Sequence, residues 1–598
     1  MTGYTPQIED LKHTLFDVAD LPGLIEAEVF PELSTDLVEQ VLTEAGRFAA
    51  EVIAPLNRAG DSHGCRLDPA THAVTTAPGW KEAYAQWVEA GWGALPCPPE
   101  LGGQGLPILV SLAVQELWNT AACAFGIGTL LTQGAVEALA AHGPDDLKRA
   151  YLPHMASGRW TGTMVMTEPQ AGSDLGAVRT RAERRPDGSF AITGTKTFIT
   201  YGEHDLTENI VHSVLARLAD APDGSKGLSL FLVPKFLAEA DGKLGLRNDV
   251  KCIGLEEKLG IHGSPTCTLR FGDEGGATGY LVGEENRGLA CMFTMMNNAR
   301  LHVGMQGVAV AERATQLAVS YARERRQGQK PGGRPGGDAA AIIEHPDVRR
   351  MLLDMKSKTA AARAVCFETA RALDLSRHGR SDEERRANAD LAALLTPVAK
   401  AFSTDIGTAV ASLGIQVHGG MGYIEETGAA QHLRDARICQ IYEGANGIQA
   451  IDLVTRKLPL SDYEAVWAYT GRIRGEAEAM AQSGDGDAAA VGMRLAEAVT
   501  ALEDATGYLQ AWLKDGGDRP LASATPYLRL FGLTAGAAGL ARGARAAMAR
   551  RAGVNDDQRL RLARYFADNH LPFTDALKVI VERGPDSLLA TTHDLLSA

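Results

Sequence analysis

The chain has 598 residues, of which 45% are hydrophobic and 22% are charged, and its formal net charge is -15. This is the composition of a large globular protein, and the length allows roughly three or four domains of about 150 residues each. The acidic balance excludes a surface built to neutralise nucleic-acid phosphates, because such a surface needs clustered Lys and Arg side chains.

The cysteines and the N-terminus indicate a reducing, cytoplasmic setting. Eight cysteines are spread along the chain with no C-x-x-C pair, so neither a zinc clamp nor a redox dithiol is expected. The N-terminal MTGYTPQIEDLKHTL is polar and acidic, unlike a signal or transit peptide. The stretch from Leu117 to Val136 has no charge over twenty residues, which is long enough to cross a bilayer. Its Asn119, its Gln133 and its threonines favour a packed core helix instead.

The first part of the chain, to about residue 160, has a helical pattern. Ser34 or Thr35 is a plausible N-cap, and the apolar positions from Leu37 to Ile53 then recur every three or four residues. Pro55 is expected to end this helix, because proline lacks the N–H that a helix interior requires.

A β pattern follows, from about residue 160 to 275. The runs FAITGTKTFIT, IVHSVLARLA, GLSLFLVPK and TCTLRFG are short, rich in β-branched residues and bounded by Gly, Pro or Asp. These features predict a compact β domain inserted in a helical protein.

Helical patterns resume near residue 285 and continue to the C-terminus. One stripe runs from Leu301 to Tyr321, and the loop GQKPGGRPGGD follows it. Further breaks are expected at LPLSDY, at SGDGD and at DGGDRP. The sequence therefore predicts an α+β multidomain protein. Its expected parts are a helical domain (1–160), a β-barrel (161–278), a helical bundle (279–459) and an additional helical domain (460–598).

Two stretches at the start of the β region carry groups suited to a cofactor. In MVMTEPQAGSDLGAV, Gly172 and Ser173 offer N–H and hydroxyl donors to a phosphate or a carbonyl-rich ring, with a plain turn as the alternative. In GTKTFIT, Phe198 stands among hydroxyl residues. Its ring would pack either on a planar heterocycle or in a β core.

Five ordered motifs resemble those of the flavin-dependent acyl-CoA dehydrogenases, from about residue 30 to about 455. They are MTEPQAGSD, ITGTKTFIT, YARERRQ, QVHGGMGY and IYEGANGIQ. The resemblance implies a helical N-terminal domain, a middle β-barrel and a four-helix bundle, with FAD between the barrel, the bundle and a neighbouring subunit. The extra C-terminal helices and the phrase GIHGSPTC are similar to a longer bacterial branch that includes the 3-methylmercaptopropionyl-CoA dehydrogenases.

The resemblance also implies roles for individual residues. Glu443, in its Tyr-Glu-Gly setting, matches the catalytic base. Arg325 matches a residue that reaches a FAD phosphate across the dimer. The other matches to FAD contacts are Met164, Met166, Thr167, Ser173, Phe198 and Thr200 at the ring end, and Gln416 and Gly420 on the adenosine side. The matches on the substrate side are Ser173, Arg300, Tyr442 and Gly444.

A carboxylate base suits the reaction of this family, in which the thioester loses an α-proton and a β-hydride. A dry acyl pocket would raise the pKa of Glu443 toward neutrality, because burial disfavours the charged form. The dipole of the following helix, capped by Asn446, would oppose that rise. Some relatives carry the base on the first helix of the bundle, where this chain has Ala299, so Glu443 is the one candidate. Without the motif, Glu443 would be a solvated loop acid.

Two of the substrate-side residues have a purely structural role as the alternative to a functional one. Arg300 either shapes the charge near Glu443 or forms a buried ion pair between helices. Tyr442 forms either a wall of the acyl pocket or ordinary core.

The leading hypothesis is an FAD enzyme that oxidises an acyl-CoA to the trans-2-enoyl-CoA and passes electrons to electron-transfer flavoprotein. Direct oxidation by O₂ is the alternative within that class, and a flavin-containing binding protein is the alternative outside it. The branch resemblance favours 3-methylmercaptopropionyl-CoA as the substrate over medium-chain or long-chain fatty acyl-CoA. The extra C-terminal domain favours a homodimer.

Overall fold

The computed structural model describes residues 3–239, 243–330, 332, 338–550 and 554–597. The helices are α1 (Ile8–His13), α2 (Leu21–Glu26), α3 (Thr35–Phe48), α4 (Ala54–His63), α5 (Trp80–Glu89), α6 (Ile108–Ala121), α7 (Cys123–His142), α8 (Asp145–Ala156), α9 (Gly288–Glu324), α10 (Pro346–His378), α11 (Asp382–His418), α12 (Ala429–Arg437), α13 (Asn446–Asp452), α14 (Glu464–Ala481), α15 (Gly486–Asp515), α16 (Arg519–Arg550), α17 (Val554–Asn569), α18 (Phe573–Leu589) and α19 (His593–Ser597). The strands are β1 (Arg66–Leu67), β2 (Val74–Thr75), β3 (Trp160–Val165), β4 (Arg181–Arg184), β5 (Phe190–Thr200), β6 (Asn209–Leu218), β7 (Leu228–Pro234), β8 (Phe236–Ala238), β9 (Leu244–Arg247), β10 (Val250–Leu255), β11 (Thr266–Phe271), β12 (Ala277–Val282), β13 (Arg326–Gln329) and β14 (Ala339–Ala341).

The chain divides into two compact units. The sheet unit comprises Phe48–Leu106 and Ala121–Ala299. The bundle unit comprises Met1–Arg47, Pro107–Thr120 and Arg300–Ala598.

Five strands of the sheet unit close into a ring. β5 pairs with β12, β12 with β7, β7 with β6, and β6 with β4, which returns to β5. β3 extends the ring in parallel beside β6, while β11 and β10 extend it beside β5. Every residue of β3 and β7 is buried, as expected for strands covered on both faces. The predicted β-barrel is therefore confirmed, and the run FAITGTKTFIT is β5 residue for residue.

Three long helices, α9, α10 and α11, organise the bundle unit. α9 and α11 approach so closely that a Cβ atom on Gly307 would lie 2.5 Å from the backbone oxygen of Ser403. Glycine is required at such a crossing, because any side chain would push the backbones apart. The two helices also meet beside Lys400, where a Cβ atom on Gly304 of α9 would lie 2.5 Å from the backbone oxygen of Ala399.

The additional C-terminal helices pack on α10 of the bundle unit. A Cβ atom on Gly536 of α16 would lie 2.9 Å from the Cβ atom of Ala361, and one on Gly539 would lie 2.5 Å from the Cβ atom of Ala364. The expected breaks between these helices are present, and Asp485 caps α15 by accepting from the N–H groups of its first turn. The predicted α+β multidomain class, with an extra C-terminal helical part, is confirmed.

Pro55 does not end the helical run, contrary to the prediction. Ser34 caps α3 as expected, through a 3.1 Å bond from the N–H of Leu37. The residues Ala49–Ile53 then form a π-helical turn, and α4 begins directly after it, with Pro55 in its first turn. Proline is tolerated in that first turn, because its missing N–H would have no helical partner there.

The uncharged stretch from Leu117 to Val136 is not one helix, because extended Ala122 separates α6 from α7. By length and composition α7 is apolar enough to cross a membrane, but 83% of its most apolar stretch is buried, as in a core helix. The Gly- and Pro-rich loop is also shorter than expected, because Gly328 and Gln329 belong to β13, which pairs with β14. The loop residues 331 and 333–337 lie outside the described residues.

Candidate active site

Glu443 lies in a tight turn between the helical residue Gln440 and the first residue of α13, Asn446. The φ angle is 55° at Glu443 and 86° at Gly444, so both residues adopt the left-handed conformation. This conformation costs a non-glycine residue about 1–2 kcal/mol. Strain of this kind is found preferentially where a side chain must be presented in one direction.

Two buried side chains hold the carbonyl groups of this turn. Lys400 has no exposed surface, and its Nζ donates to Gly444 O at 2.8 Å and to Asn446 Oδ1 at 2.9 Å. Nε2 of Gln449, which is equally buried, lies 3.3 Å from Glu443 O and 3.4 Å from Gly444 O. α11 and α13 therefore both fix the turn.

Asn446 does not cap α13, which corrects the prediction. Ala445 is the N-cap residue and makes no side-chain cap bond. The amide of Asn446 instead donates to Asp405 Oδ1 at 2.7 Å and to Thr404 Oγ1 at 3.0 Å. α11 offers these acceptors in addition to Lys400, so Asn446 ties the turn to α11.

The hydroxyl of Tyr442 begins a series of hydrogen bonds between buried polar side chains. It donates to Gln306 Oε1, whose amide donates in turn to Asn119 Oδ1 at 3.1 Å. Asn119 then donates to the backbone oxygen of Gln115 at 2.8 Å. The hydroxyl of Tyr442 is thus fixed by α9 and α6, and its ring is half-buried.

The carboxyl group of Glu443 is held in an environment that favours its neutral form. The residue as a whole is half-buried, but Oε2 is buried and has no hydrogen-bond partner among the described residues. Burial raises the pKa of Glu443 to about 7, against the charges of Arg300 and Lys400, which lower it. The direction is the one predicted, and it is present in the chain alone.

Arg300 takes both of the roles considered for it. Its Nη1 lies 3.7 Å from Asp452 Oδ2 on α13, and both side chains are buried. Asp452 also lies 3.2 Å from Nε of Arg456. The positive charge of Arg300 acts on Glu443 as well, so the ion pair and the electrostatic role coexist.

The sheet unit brings the predicted ring-end residues of β3 and β5 together. Met164 is buried in β3, and the half-buried Met166 and Thr167 follow it directly. The N–H of Thr197 on β5 donates to Thr167 O at 3.0 Å, and Nζ of Lys196 donates to Met166 O at 2.8 Å. These bonds fasten the turn after β3 to the end of β5.

Phe198 stands out of the sheet on a bulge. Lys196 and Ile199 are paired with Leu269 and Cys267, so β5 carries one residue more than β11 between these pairs. Phe198 takes a φ of 60°, and 62% of its surface is exposed. A large exposed aromatic ring on a strained backbone is the feature expected of a ligand contact, and the β-core alternative is excluded by the exposure.

The two remaining ring-end residues lie at the edges of this cluster. Thr200 is half-buried at the end of β5, opposite Thr266 of β11. Ser173 is exposed in the loop before a short helical turn, in which Asp174 Oδ1 accepts from the N–H of Gly176 at 2.9 Å. No bond joins Ser173 to the other predicted residues in the described part of the chain.

The predicted phosphate and adenosine contacts lie in the bundle unit and are exposed. Arg325 follows the last residue of α9, Gln416 lies in the last turn of α11, and Gly420 follows that helix. The rings of Tyr321 and His418 stack with their centroids 4.5 Å apart. This stack joins the ends of α9 and α11, the two helix ends at which these three residues lie.

Sequence reasoning missed the groups that hold the site. Lys400 lies in no motif, although a lysine inside the apolar run TPVAKAFS is a signal that could have been used. Gln449 ends the motif IYEGANGIQ but was assigned no role. Gln306 and the buried pair of Lys196 and Glu168 were likewise missed, because their partners are distant in sequence.

Four family profiles match successive parts of the chain. They are the acyl-CoA dehydrogenase N-terminal domain at residues 35–159 and the middle domain at 163–273. The acyl-CoA dehydrogenase C-terminal domain follows at residues 286–458, and an acetyl-CoA dehydrogenase C-terminal-like domain at 470–592.

Individual proteins are similar over most of the length. The chain is 47% identical to a 3-methylmercaptopropionyl-CoA dehydrogenase of Ruegeria pomeroyi, over 88% of this chain and 89% of that protein. It is 33% identical to a broad-specificity linear acyl-CoA dehydrogenase of Mycobacterium tuberculosis, over 97% and 98% of the two chains. A crystal structure of an acyl-CoA dehydrogenase complexed with FAD from Bacillus anthracis has the same fold, with a TM-score of 0.74 at 21% identity over 92% and 89% of the two chains.

Proposed function

The chain belongs to the acyl-CoA dehydrogenase family of FAD-dependent oxidoreductases, and from that premise we propose that Glu443 is the base that removes the α-proton of its acyl-CoA substrate. The observation that carries the proposal is that Oε2 of Glu443 is buried and has no hydrogen-bond partner among the described residues. Burial accordingly raises the pKa of this carboxyl to about 7. A general base works best when its pKa lies near the working pH, because it is then both ionised and basic.

The proposed reaction balances around one new double bond. The α C–H bond gives its proton to a Glu443 oxygen, and the β C–H bond gives up a hydride as the α,β double bond forms. FAD, when bound, supplies the acceptor for that hydride. The backbone N–H of Glu443 has no acceptor among the described residues, which suits it to donate to the thioester oxygen as negative charge develops there.

The predicted residues of the sheet unit fit the ring end of FAD chemically, and those of the bundle unit fit its phosphate and adenosine groups. We propose that Met164, Met166, Thr167, Ser173, Phe198 and Thr200 hold its ring end, with Phe198 offering an exposed aromatic face and Thr197 Oγ1 buried without a partner in the described chain. Arg325 would bind a phosphate, and Gln416 and Gly420 the adenosine side. Arg300, Tyr442 and Gly444 would shape the substrate side around Glu443.

The proposed acyl group is 3-methylmercaptopropionyl, a short chain with a thioether. The support is the 47% identity to an enzyme named for that substrate. A medium-chain or long-chain fatty acyl group is the second candidate, supported by the similarity to a broad-specificity linear acyl-CoA dehydrogenase. A panel of acyl-CoAs of graded length, with and without sulfur, separates the two. A thioether substrate much poorer than octanoyl-CoA would refute the first.

The deciding experiment compares the FAD-loaded wild type with Glu443→Gln. Rapid anaerobic bleaching of the flavin by acyl-CoA is expected for the wild type, and at least about a 10²-fold slower reduction for the variant. Persistent colour in the wild type would point to a flavin-containing binding protein. Unchanged bleaching in Glu443→Gln would remove Glu443 from the role of base.

We further propose electron-transfer flavoprotein as the electron acceptor, a cytoplasmic location and a homodimer. Oxidation supported by O₂ alone at the full rate would replace the first with an oxidase, and a solution mass of four chains would refute the dimer. The proposed domain division remains 1–160, 161–278, 279–459 and 460–598.

A further inference from the structure

We propose that Lys400 is a positioning residue for proton abstraction, which holds the Glu443–Gly444 turn in its left-handed conformation and keeps the base aimed. The inference rests on the proposed role of Glu443. It adds a residue that neither contacts substrate nor takes the proton.

The bonding of Lys400 points to this role. Its side chain has no exposed surface, and among the described residues no carboxylate oxygen lies within 4.0 Å of Nζ. A buried ammonium group without an ion-pair partner carries a large desolvation cost, so its hydrogen bonds must offset that cost. Nζ donates to Gly444 O and to Asn446 Oδ1, and both acceptors belong to the segment that carries the base.

The turn needs such an anchor. Glu443 and Gly444 have φ angles of 55° and 86°, and the first of these is unfavourable for a side chain with a Cβ atom. Gln449 donates to the backbone oxygens of Glu443 and Gly444 only at 3.3 and 3.4 Å, near the limit for a hydrogen bond. The 2.8 Å bond from Lys400 is therefore the stronger restraint on the Gly444 peptide.

Charge gives a second, separable signature. Arg300 on α9 and Lys400 on α11 are the positive groups that act on the buried Glu443 carboxyl. Asp405 and Cys439 face Lys400, and the Asp452–Arg456 pair faces Arg300. Because Lys400 opposes the effect of burial, its removal raises the pKa of Glu443. The acid limb of the rate profile then moves to higher pH.

The test compares FAD-loaded wild type, Lys400→Met and Lys400→Gln. Methionine keeps the length and volume without charge or donor, and kcat is expected to fall by about 10²-fold with KM within a few-fold, as for a misaligned base. The apparent pKa of the acid limb of the kcat profile is expected to increase by about one unit. Hydrogen exchange across residues 440–449 is expected to accelerate.

Lys400→Gln separates the two effects, because its amide restores a donor but no charge. It is expected to recover part of kcat while the acid limb stays shifted. Lys358→Met is the control, since Lys358 is also shielded enough that burial lowers its pKa, but it lies on α10 beside Asp354. It should leave the kcat profile and the exchange of 440–449 unchanged.

The inference is overturned if Lys400→Met retains the wild-type acid limb and exchange while Glu443→Gln is inactive. In that case the role of Glu443 stands and only the role of Lys400 is lost. If Glu443→Gln is itself active, the proposed function fails first. A loss of flavin in Lys400→Met transfers the same comparison to Lys400→Gln.

Discussion

Nζ of Lys196 lies 3.0 Å from Oε1 of Glu168, and both side chains are buried in the sheet unit. Burial alone would raise the pKa of Glu168, but Lys196 and the donors of Thr180 and Arg179 bring it to about 2. Burial lowers the pKa of Lys196 to about 8, against the effect of Glu168. The pair thus stays charged at neutral pH and fixes the turn that carries Met166.

Lys196→Met is expected to destabilise the protein by about 3 kcal/mol, because it leaves the Glu168 charge buried without its counter-ion. It should also lower flavin retention, since the bond to Met166 O is lost. Thermal unfolding and the flavin content after gel filtration measure both. Lys226→Met, at an exposed lysine of the same unit, is the control. Equal stability of the two variants would contradict the structural role of the pair.

Substitutions of Phe198 test whether the strained bulge of β5 contributes to ligand binding. Phe198→Gly and Phe198→Ala both delete the exposed ring, but alanine keeps the cost of the 60° φ angle. The glycine variant is therefore expected to be about 1 kcal/mol more stable than the alanine variant. Both should bind FAD more weakly than Phe198→Trp, which keeps an aromatic face.

The readouts for Phe198 are denaturant unfolding without cofactor and FAD titration by fluorescence quenching. FAD affinity unchanged in Phe198→Ala would exclude Phe198 from the cofactor site. An alanine variant as stable as the glycine variant would show that the backbone carries no strain there.

The sequence predicted those parts of the fold that local pattern controls. β5 was predicted to the residue, and the cap of α3 was predicted to be Ser34 or Thr35, because strand periodicity and capping depend on neighbours in the chain. The prediction for Pro55 was wrong because the π-helical turn Ala49–Ile53 leads into α4. Pro55 then lies in the first turn of α4, where a missing N–H costs no helical hydrogen bond. Asn446 was misjudged for another reason, because the acceptors on α11 are about forty positions away and outcompete the local cap.

The candidate site was predicted only as far as its motifs reach. Glu443 came from the Tyr-Glu-Gly motif. Lys400, which holds that turn, and Gln306, which holds the hydroxyl of Tyr442, were missed because they bond to residues far away in the sequence. The raised pKa of Glu443 was predicted from the family reaction, which needs a dry acyl pocket, and not from the residues around Glu443, because burial depends on packing that no local pattern encodes.

Substitutions of Arg300 and of Asp452 are expected to shift the pKa of Glu443 in opposite directions. Arg300→Gln removes a positive charge that lowers the pKa of Glu443, so the acid limb of kcat should move to higher pH. Asp452→Asn leaves the charge of Arg300 without its partner at 3.7 Å, so the limb should move to lower pH. Each shift is expected to be about half a unit to one unit. Profiles of kcat under saturating acyl-CoA measure them, and shifts in the same direction would refute this arrangement.

The ionised carboxylate of Glu443 is expected to lower the free energy of unfolding of the wild-type protein. The pKa of this carboxyl is about 7 in the folded protein against 4.5 for an ordinary glutamate, so the folded state holds a proton that the unfolded state releases. The stability of the wild type therefore falls as pH rises from 4.5 to 7, and the full penalty is present above pH 7.

Glu443→Gln removes this penalty and keeps the side-chain shape. Above pH 7 it is expected to be more stable than the wild type by about 2 kcal/mol, and the difference should narrow toward pH 5. The measurement is the first unfolding transition of the substrate-free protein at several pH values, since a chain of this size does not unfold in one step. Glu426→Gln, at an exposed acid, controls for the change in net charge. A gain for Glu443→Gln that is independent of pH would mean that desolvation of the carboxylate is not its cause, and the basis for a pKa near 7 would then be lost.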